Sequence, residues 1–143
     1  MTKIVKSVVR SGQQIYGDGE DVVVLAAVQS GAEVIADGCV HIYAPCFGRV
    51  MAGANGDRDA MIFCAHFEPE LVAIGNRYVT AEEVPAKAWG NGVKVYREGG
   101  VLRVEDLVMS FGKPAAHPKR RKTPAAIRRV RRRDRRARAQ TSV

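Results

Sequence analysis

The 143 residues include 23 Lys or Arg against 15 Asp or Glu, and only 6% are aromatic, so a core must be built mainly from Val, Ile, Ala and Leu. No apolar run approaches the roughly 20 residues of a membrane-spanning helix, and the N-terminus lacks the apolar stretch of a signal peptide, which indicates a cytoplasmic protein. Three cysteines without Cys-x-x-Cys spacing favour neither a disulfide framework nor a zinc site.

Charge divides the chain into two parts. Residues 113–143 hold 13 of the 23 basic residues and one of the 15 acidic residues, Asp134. The preceding 112 residues therefore hold 10 basic and 14 acidic residues and carry a net negative charge. Because segments of opposite charge need separate explanations, we predict a domain at residues 1–110 and a basic tail at residues 111–143. Proline and like charges without apolar periodicity predict that the tail is disordered.

Short strands separated by turns are predicted from residue 4 to residue 74. Residues 4–9 and 14–16 form the first two, on either side of the polar loop at residues 10–13. Six apolar triplets follow, most of them separated by glycine-containing turns, at residues 22–24, 34–36, 40–42, 50–52, 61–63 and 71–73. Apolar runs as short as these predict strands rather than helices.

The triplets form two series that share one period. The first series runs through residues 23, 42 and 62, in steps of 19 and 20, and the second through residues 34, 51 and 71, in steps of 17 and 20. A shared period is typical of a coil that returns to the same edge once per turn. It predicts an all-β fold, a short parallel β-helix of about three rungs. A small antiparallel sandwich or barrel also fits short strands at regular spacing, and spacing alone leaves it open.

The last predicted elements are a short helix and a hairpin. Thr80 and Glu83 have the spacing of a capping box, while Pro85 limits the helix that follows. Residues 93–96 and 101–104 alternate in polarity on either side of a turn, which predicts a hairpin. We expect the helix and the hairpin to cap the open end of the solenoid, because an uncapped coil exposes apolar side chains and unpaired strand edges.

No cluster of residues predicts catalysis, and we expect no enzyme activity, no cofactor and no metal. Cys39, Cys46 and Cys64, together with His41 and His66, match no ligand spacing, so we interpret the cysteines as buried packing residues.

The charged corner at residues 57–59 is interpreted as solvated rather than catalytic. Arg58 neutralises its neighbours Asp57 and Asp59 in this interpretation, and neither a nucleophile nor an oxyanion hole accompanies them. The Gly-Asp-Gly sequence at residues 17–19 lacks the spacing and the Lys-Ser/Thr ending of a phosphate-binding loop.

An apolar strip around Val40, Ile42 and Ile62 has two interpretations. If these residues or their neighbours face outward, they offer a self-complementary patch for a homodimer. If they face inward, they belong to the core. Alternation within strands of three residues leaves both interpretations open.

Six sequence phrases occur in a fixed order along the body of the chain. They are VRSGQ at residues 9–13, GAEVIADG at 31–38, HIY at 41–43, GRVMAGANGDRD at 48–59, IFC at 62–64 and ELVAI at 70–74. Together they closely resemble the C-terminal domain of the septum-site-determining protein MinC, from about residue 7 to residue 107. The resemblance implies a right-handed parallel β-helix that dimerises through an apolar face and takes part in cell division without being an enzyme.

The resemblance also implies partners. In the family, the Arg-Ser-Gly-Gln loop is implicated in binding the membrane-associated ATPase MinD, which corresponds here to Arg10, Ser11, Gly12 and Gln13. An arginine fork, a hydroxyl group and a carboxamide around a glycine suit this role, because they offer several hydrogen bonds from one exposed loop. Bound to MinD at the inner face of the cell membrane, the family opposes polymerisation of the division protein FtsZ and restricts where the septum forms.

Three departures from the family qualify this expectation. The usual N-terminal domain, which carries much of the activity against FtsZ, is expected to be absent. A segment that usually contains two arginines has Phe47 in place of one and keeps Arg49, the candidate residue for facing FtsZ. The basic tail is an addition to the family.

The tail supports a second hypothesis, a β-helical scaffold that binds nucleic acid or anionic membrane. Its arginines would contact phosphates without reading a base sequence, because no aromatic side chains accompany them for stacking. The candidate residues are Arg128, Arg129, Arg131, Arg132, Arg133, Arg135 and Arg136.

Overall fold

Two β-sheets account for about half of residues 1–108, which are the part of the chain described by the computed structural model. The strands are β1 (Thr2–Val5), β2 (Gln14–Gly17), β3 (Asp21–Val24), β4 (Glu33–Ala36), β5 (Val40–Cys46), β6 (Arg49–Ala52), β7 (Ile62–Phe67), β8 (Leu71–Ile74), β9 (Arg77–Thr80), β10 (Val93–Glu98) and β11 (Val101–Asp106). The predicted basic tail at residues 111–143 lies outside the described residues.

The chain coils because successive strands alternate between the two sheets. Strands β1, β3, β5 and β7 pair in parallel in the first sheet, called sheet A, and β2, β4, β6 and β8 pair in parallel in the second, called sheet B. Isolated bridges from Val9 to Val28 and from Val28 to Cys46 link the coils on a third side. This is the predicted all-β parallel β-helix. It has four coils rather than about three, because β1 and β2 form a coil before the first apolar triplet.

Strand register determines which side chains enter the core. Val22 pairs with Val40, which pairs with Ile62, and all three side chains are fully buried. Ile42 pairs with Val24 and Cys64 rather than with Ile62, so the predicted series through residues 23, 42 and 62 does not follow the strand register. Val23 is one residue out and pairs with His41 on the outer face. Successive residues of a strand face opposite sides, so this shift moves Val23 out of the core.

The interior is narrow and filled by small aliphatic side chains. Valines and alanines dominate the buried set, and Phe67 is the largest buried side chain in the described residues. Close backbone packing at one corner requires glycine, since a Cβ on Gly48 would overlap the Ala32 carbonyl oxygen. A core of this kind tolerates little added volume.

Antiparallel strands follow the last coil, and two of them, β10 and β11, form the predicted hairpin. Strand β10 pairs with β7 and with β11 in sheet A, and β9 pairs with β8 in sheet B. The predicted helix is a single 3₁₀ turn, Ala81–Glu83, and the Thr80 amide and hydroxyl groups both donate to Glu83 Oε1, at 3.3 and 3.0 Å. No helix within residues 1–108 has the length and apolar character needed to cross a membrane.

Candidate partner-binding surface

The predicted binding residues Arg10, Ser11, Gly12 and Gln13 form an exposed turn on the first coil, called here the recognition loop. The loop begins directly after Val9, whose side chain is 1% exposed. The Val9 amide donates to the Ala27 carbonyl at 3.0 Å, and its own carbonyl accepts from the Gln29 amide at 2.9 Å. The loop therefore starts from a backbone position that is fixed on the second coil.

The recognition loop is closed by its own hydrogen bonds. The Gln13 amide donates to the Arg10 carbonyl at 2.9 Å, and the Arg10 amide donates to Gln13 Oε1 at 2.8 Å. Gly12 takes a positive φ of 85° between them. The Arg10 guanidinium, the Ser11 hydroxyl and the Gln13 amino group make no hydrogen bond within residues 1–108, so they are available to a partner.

Gly31, on the second coil, contacts the recognition loop of the first coil. The Gly12 amide donates to the Gly31 carbonyl at 3.0 Å. Gly31 has a φ of +81°, and a Cβ at this position would overlap the Ser11 hydroxyl oxygen. Glycine therefore meets both a conformational and a steric requirement here.

Glu70, a residue that sequence reasoning did not single out, holds the turn containing Gly31. Its Oε1 accepts from the Gly31 amide and from the Ser30 hydroxyl, both at 2.6 Å. The Ser30 hydrogen bond, then the Gly31 amide and nearby Arg49, hold the pKa of the Glu70 carboxyl below its usual range. The carboxylate of Glu70, on the fourth coil, therefore holds a turn of the second coil that is 39 residues away in sequence. No local sequence signal predicts a contact between residues so far apart.

Arg49, the candidate for facing FtsZ, lies in an ion-pair network on the outer face of sheet B. Its guanidinium lies 3.0 Å from Glu33 Oε1 and 3.8 Å from Glu70 Oε2, and its side chain remains 47% exposed. Gln14 donates to the other oxygen of Glu33 at 3.0 Å. The charge of Arg49 is therefore partly balanced by neighbours on the preceding and following coils.

Phe47 places a partly exposed aromatic ring two residues before Arg49 in the sequence. Its side chain is 36% exposed, and its ring meets the edge of the His66 ring at a centroid distance of 6.0 Å. An arginine at this position would add a second positive charge, which this chain lacks.

The cysteines contribute to packing. Cys46 and Cys64 are both buried in the core. The hydrogen bond between the two thiols, together with burial, raises the pKa of the Cys46 thiol above its usual range. The Cys39 sulfur accepts from the Met61 amide at 3.3 Å. Among residues 1–108 there is no group of His, Cys, Asp and Glu side chains placed to hold a metal ion.

The corner at residues 57–59 is built from local turns and is exposed to solvent. The Asp57 amide donates to Asn55 Oδ1 at 3.2 Å, and the Asp59 amide donates to Asp57 Oδ1 at 2.9 Å. Arg58 forms no ion pair with a carboxylate of residues 1–108. The predicted neutralisation of Asp57 and Asp59 by Arg58 is therefore not made through an ion pair.

The apolar strip predicted around Val40, Ile42 and Ile62 faces inward, since all three side chains are fully buried. Their neighbours form the outer face of sheet A instead. Phe63 stacks on His41 with ring centroids 4.7 Å apart. The apolar and aromatic side chains on this outer face include Ile4, Val23, Leu25, His41, Tyr43 and Phe63, and we call this set the sheet A face.

A comparison with family models gives a match over nearly the whole described region. The model for the septum formation inhibitor MinC, C-terminal domain, matches residues 3–107. The chain belongs to this family.

Relatives and a solved structure agree with the MinC match. The probable septum site-determining protein MinC of Photobacterium profundum is 43% identical over 108 residues, which cover 76% of this chain and 49% of that protein. The protein of the same name from Proteus mirabilis is 46% identical over 107 residues, which cover 75% and 46%. A chain of the MinC:MinD cell division protein complex of Aquifex aeolicus superimposes with a TM-score of 0.70 and 27% identity, over 77% of this chain and 89% of that chain.

The MinC match covers the β-helical part of this chain and does not extend into the basic tail. The recognition loop, Arg49 and Glu70 all lie within residues 3–107, whereas the basic tail lies outside them. The chain spans about half the length of the curated relatives it matches.

Proposed function

We propose that this protein is a non-enzymatic regulator of cell division that binds a MinD-like ATPase through the recognition loop. The observation that carries the proposal is an exposed Arg-Ser-Gly-Gln turn, closed by its own hydrogen bonds, in a chain of the MinC family. The similarity to a chain of the MinC:MinD complex of Aquifex aeolicus supports the choice of partner.

The geometry of the loop explains how such binding would work. The two hydrogen bonds between Arg10 and Gln13 fix the turn before a partner arrives, so little backbone entropy is lost on association. Arg10 then offers a planar fork of donors to a carboxylate or to carbonyl groups. Ser11 and the amino group of Gln13 add shorter-range hydrogen bonds, and Gly12 lets the partner's backbone approach closely.

Binding to ATP-loaded MinD of the same cell tests this proposal. Arg10→Ala should raise the Kd about tenfold or more, because a hydrogen bond to a charged group contributes about 1.5–3 kcal/mol. Arg103→Ala is the matched control, since Arg103 is an exposed arginine on β11, at the opposite edge of sheet A from β1. No binding by the unaltered protein, or equal binding by Arg10→Ala, would contradict the proposal.

We also propose that the protein acts as a homodimer assembled through the sheet A face. When two copies meet through this face, its stacked and exposed aromatic rings are removed from water, which favours association. A patch that pairs with itself gives a closed two-fold dimer. The same arrangement would present two recognition loops to the membrane-bound partner and so recruit the protein to the inner face of the cell membrane.

FtsZ is the proposed target of the recruited protein, with Arg49 as its candidate contact. Because Glu33 and Glu70 already balance part of the Arg49 charge, an acidic segment of FtsZ would compete with them. Arg49→Ala should therefore weaken co-sedimentation with FtsZ polymers only a few fold. Unchanged co-sedimentation would remove Arg49 from the proposal, and no co-sedimentation of the unaltered protein would remove FtsZ.

A further inference from the structure

A second charged surface lies at the opposite end of the β-helix from the recognition loop. Three turns converge there: the loop between β6 and β7, the turn between β8 and β9, and the hairpin turn between β10 and β11. They enclose a concavity of about 420 Å³. Its lining residues are Arg58, Asp59, Asn76, Arg77, Arg97, Gly99 and Gly100, and we call it the arginine cleft.

The three arginines of the cleft lack carboxylate partners within the described chain. The ion pairs found among residues 1–108 involve other groups, such as Lys94 with Glu105 at 3.7 Å. Asp59 lines the cleft without reaching ion-pair distance of Arg58, Arg77 or Arg97. Gathering three positive charges around a single aspartate is unfavourable, and an anion held between the arginines would reduce that cost.

Part of the cleft is fixed in place. Arg97 donates to Asn76 Oδ1 at 3.0 Å, and a second contact reaches the Ile74 carbonyl at 3.5 Å. Gly99 and Gly100 take positive φ angles of 58° and 84° in the hairpin turn. Because glycine has no side chain, this wall of the cleft is formed by backbone alone. The Arg77 guanidinium lies 3.9 Å from the position that a Cβ on Gly100 would occupy.

The chemistry of the lining selects a phosphate group. Three arginines and one aspartate give the cleft a formal charge of +2, which matches the roughly −1.5 to −2 of a phosphate monoester at neutral pH. Guanidinium groups bind phosphate oxygens through paired hydrogen bonds. The lining contains no aliphatic or aromatic side chain, so an apolar ligand has nothing to pack against.

A neighbouring concavity provides space for the rest of such a ligand. It measures about 380 Å³ and shares Arg58, Asp59 and Arg97 with the arginine cleft. Met61, Lys94, Tyr96 and Glu105 complete its lining. We propose that the arginine cleft binds a phosphate monoester or diphosphate, independently of the recognition loop and of the basic tail.

The test must report on the cleft itself, because the tail also attracts phosphate through its 13 basic residues. Backbone amide shifts of the full-length, isotope-labelled chain provide this resolution. Titration with pyrophosphate or glycerol phosphate should give saturable shifts at Asn76, Gly99 and Gly100. Glycerol phosphate, the soluble counterpart of a lipid whose head group is a phosphate monoester, distinguishes the sources: tighter binding of glycerol phosphate indicates membrane lipid, and tighter binding of pyrophosphate indicates a soluble metabolite.

Two variants that change the charge of the cleft in opposite directions test the charge argument. Arg58→Gln combined with Arg77→Gln should raise the Kd for pyrophosphate about tenfold or more, while Asp59→Asn should lower it. Arg103→Gln, outside the cleft, should leave it unchanged. Absent shifts at Gly99 and Gly100, an unaltered Kd in the double variant, or preferential binding of a glutamate-rich peptide over pyrophosphate would overturn the proposal.

Discussion

At the scale of single residues, the recognition loop depends on a glycine from another coil. Gly31 and Gly19 both have positive φ angles, of +81° and +67°, but only Gly31 has a side chain in the space that a Cβ would fill. Gly19→Ala should therefore cost about 1–2 kcal/mol of stability from backbone strain alone. Gly31→Ala should cost more, because its Cβ also displaces Ser11.

Urea unfolding measures the stability lost in Gly31→Ala and in Gly19→Ala, and a MinD-binding assay measures whether the recognition loop is affected. Gly31→Ala is expected to weaken MinD binding, whereas Gly19→Ala leaves it intact, since only the first substitution moves the loop. Equal effects of the two alanines on binding would show that Ser11 does not need the support of Gly31.

Glu70 makes the stability of this region depend on pH. Its pKa lies below the ordinary value of about 4.3 when the protein is folded, because Ser30 and Gly31 donate to the carboxylate. The stabilisation is therefore complete above about pH 4.3 and is lost as the pH falls through the lower folded value. Glu70→Gln should reduce stability at pH 7 and have a smaller effect at pH 3.

Urea unfolding at the two pH values measures this difference. Glu82→Gln is the control, since Glu82 is exposed and makes no side-chain hydrogen bond within residues 1–108. A Glu70→Gln effect that is the same at pH 3 and pH 7 would rule out the charged carboxylate as the source of stabilisation.

At the scale of strands and sheets, the sheet A face is predicted to be the dimer interface. Phe63→Glu places a charge on the outer face without touching the core, so the protein should fold and become monomeric. Tyr78→Glu, at a 63% exposed position on β9 of sheet B, should remain dimeric. Sedimentation velocity distinguishes these outcomes, and a monomeric unaltered protein or a dimeric Phe63→Glu variant would contradict the prediction.

Sequence spacing predicted the coil but not every side-chain direction. The repeated triplets and turns indicated the β-helix, and the alternation of residues 93–104 indicated the hairpin. The triplet at residues 22–24 consists of three valines, so its polarity carries no alternation, and the direction of Val23 follows only from its pairing with His41. The loop at residues 10–13 was found through its family phrase, whereas the contact of Glu70 with Gly31 appears only in the folded coil.

At the scale of the whole molecule, the acidic body and the basic tail support separate proposals. The body carries the recognition loop and the sheet A face, and the tail holds 13 of the 23 basic residues. Tail binding to nucleic acid or anionic lipid should fall steeply with salt, because it depends on releasing counterions. Binding through the recognition loop should depend less on salt, because it combines hydrogen bonds with close packing.

The most direct measurement is co-sedimentation of the protein with anionic vesicles, with and without MinD and ATP, at low and high salt. We predict binding that requires MinD and ATP, persists at high salt, survives deletion of residues 111–143 and is weakened about tenfold or more in Arg10→Ala. Binding that needs no MinD, disappears at high salt and is abolished by the deletion would contradict the central claim and identify the tail as the functional part.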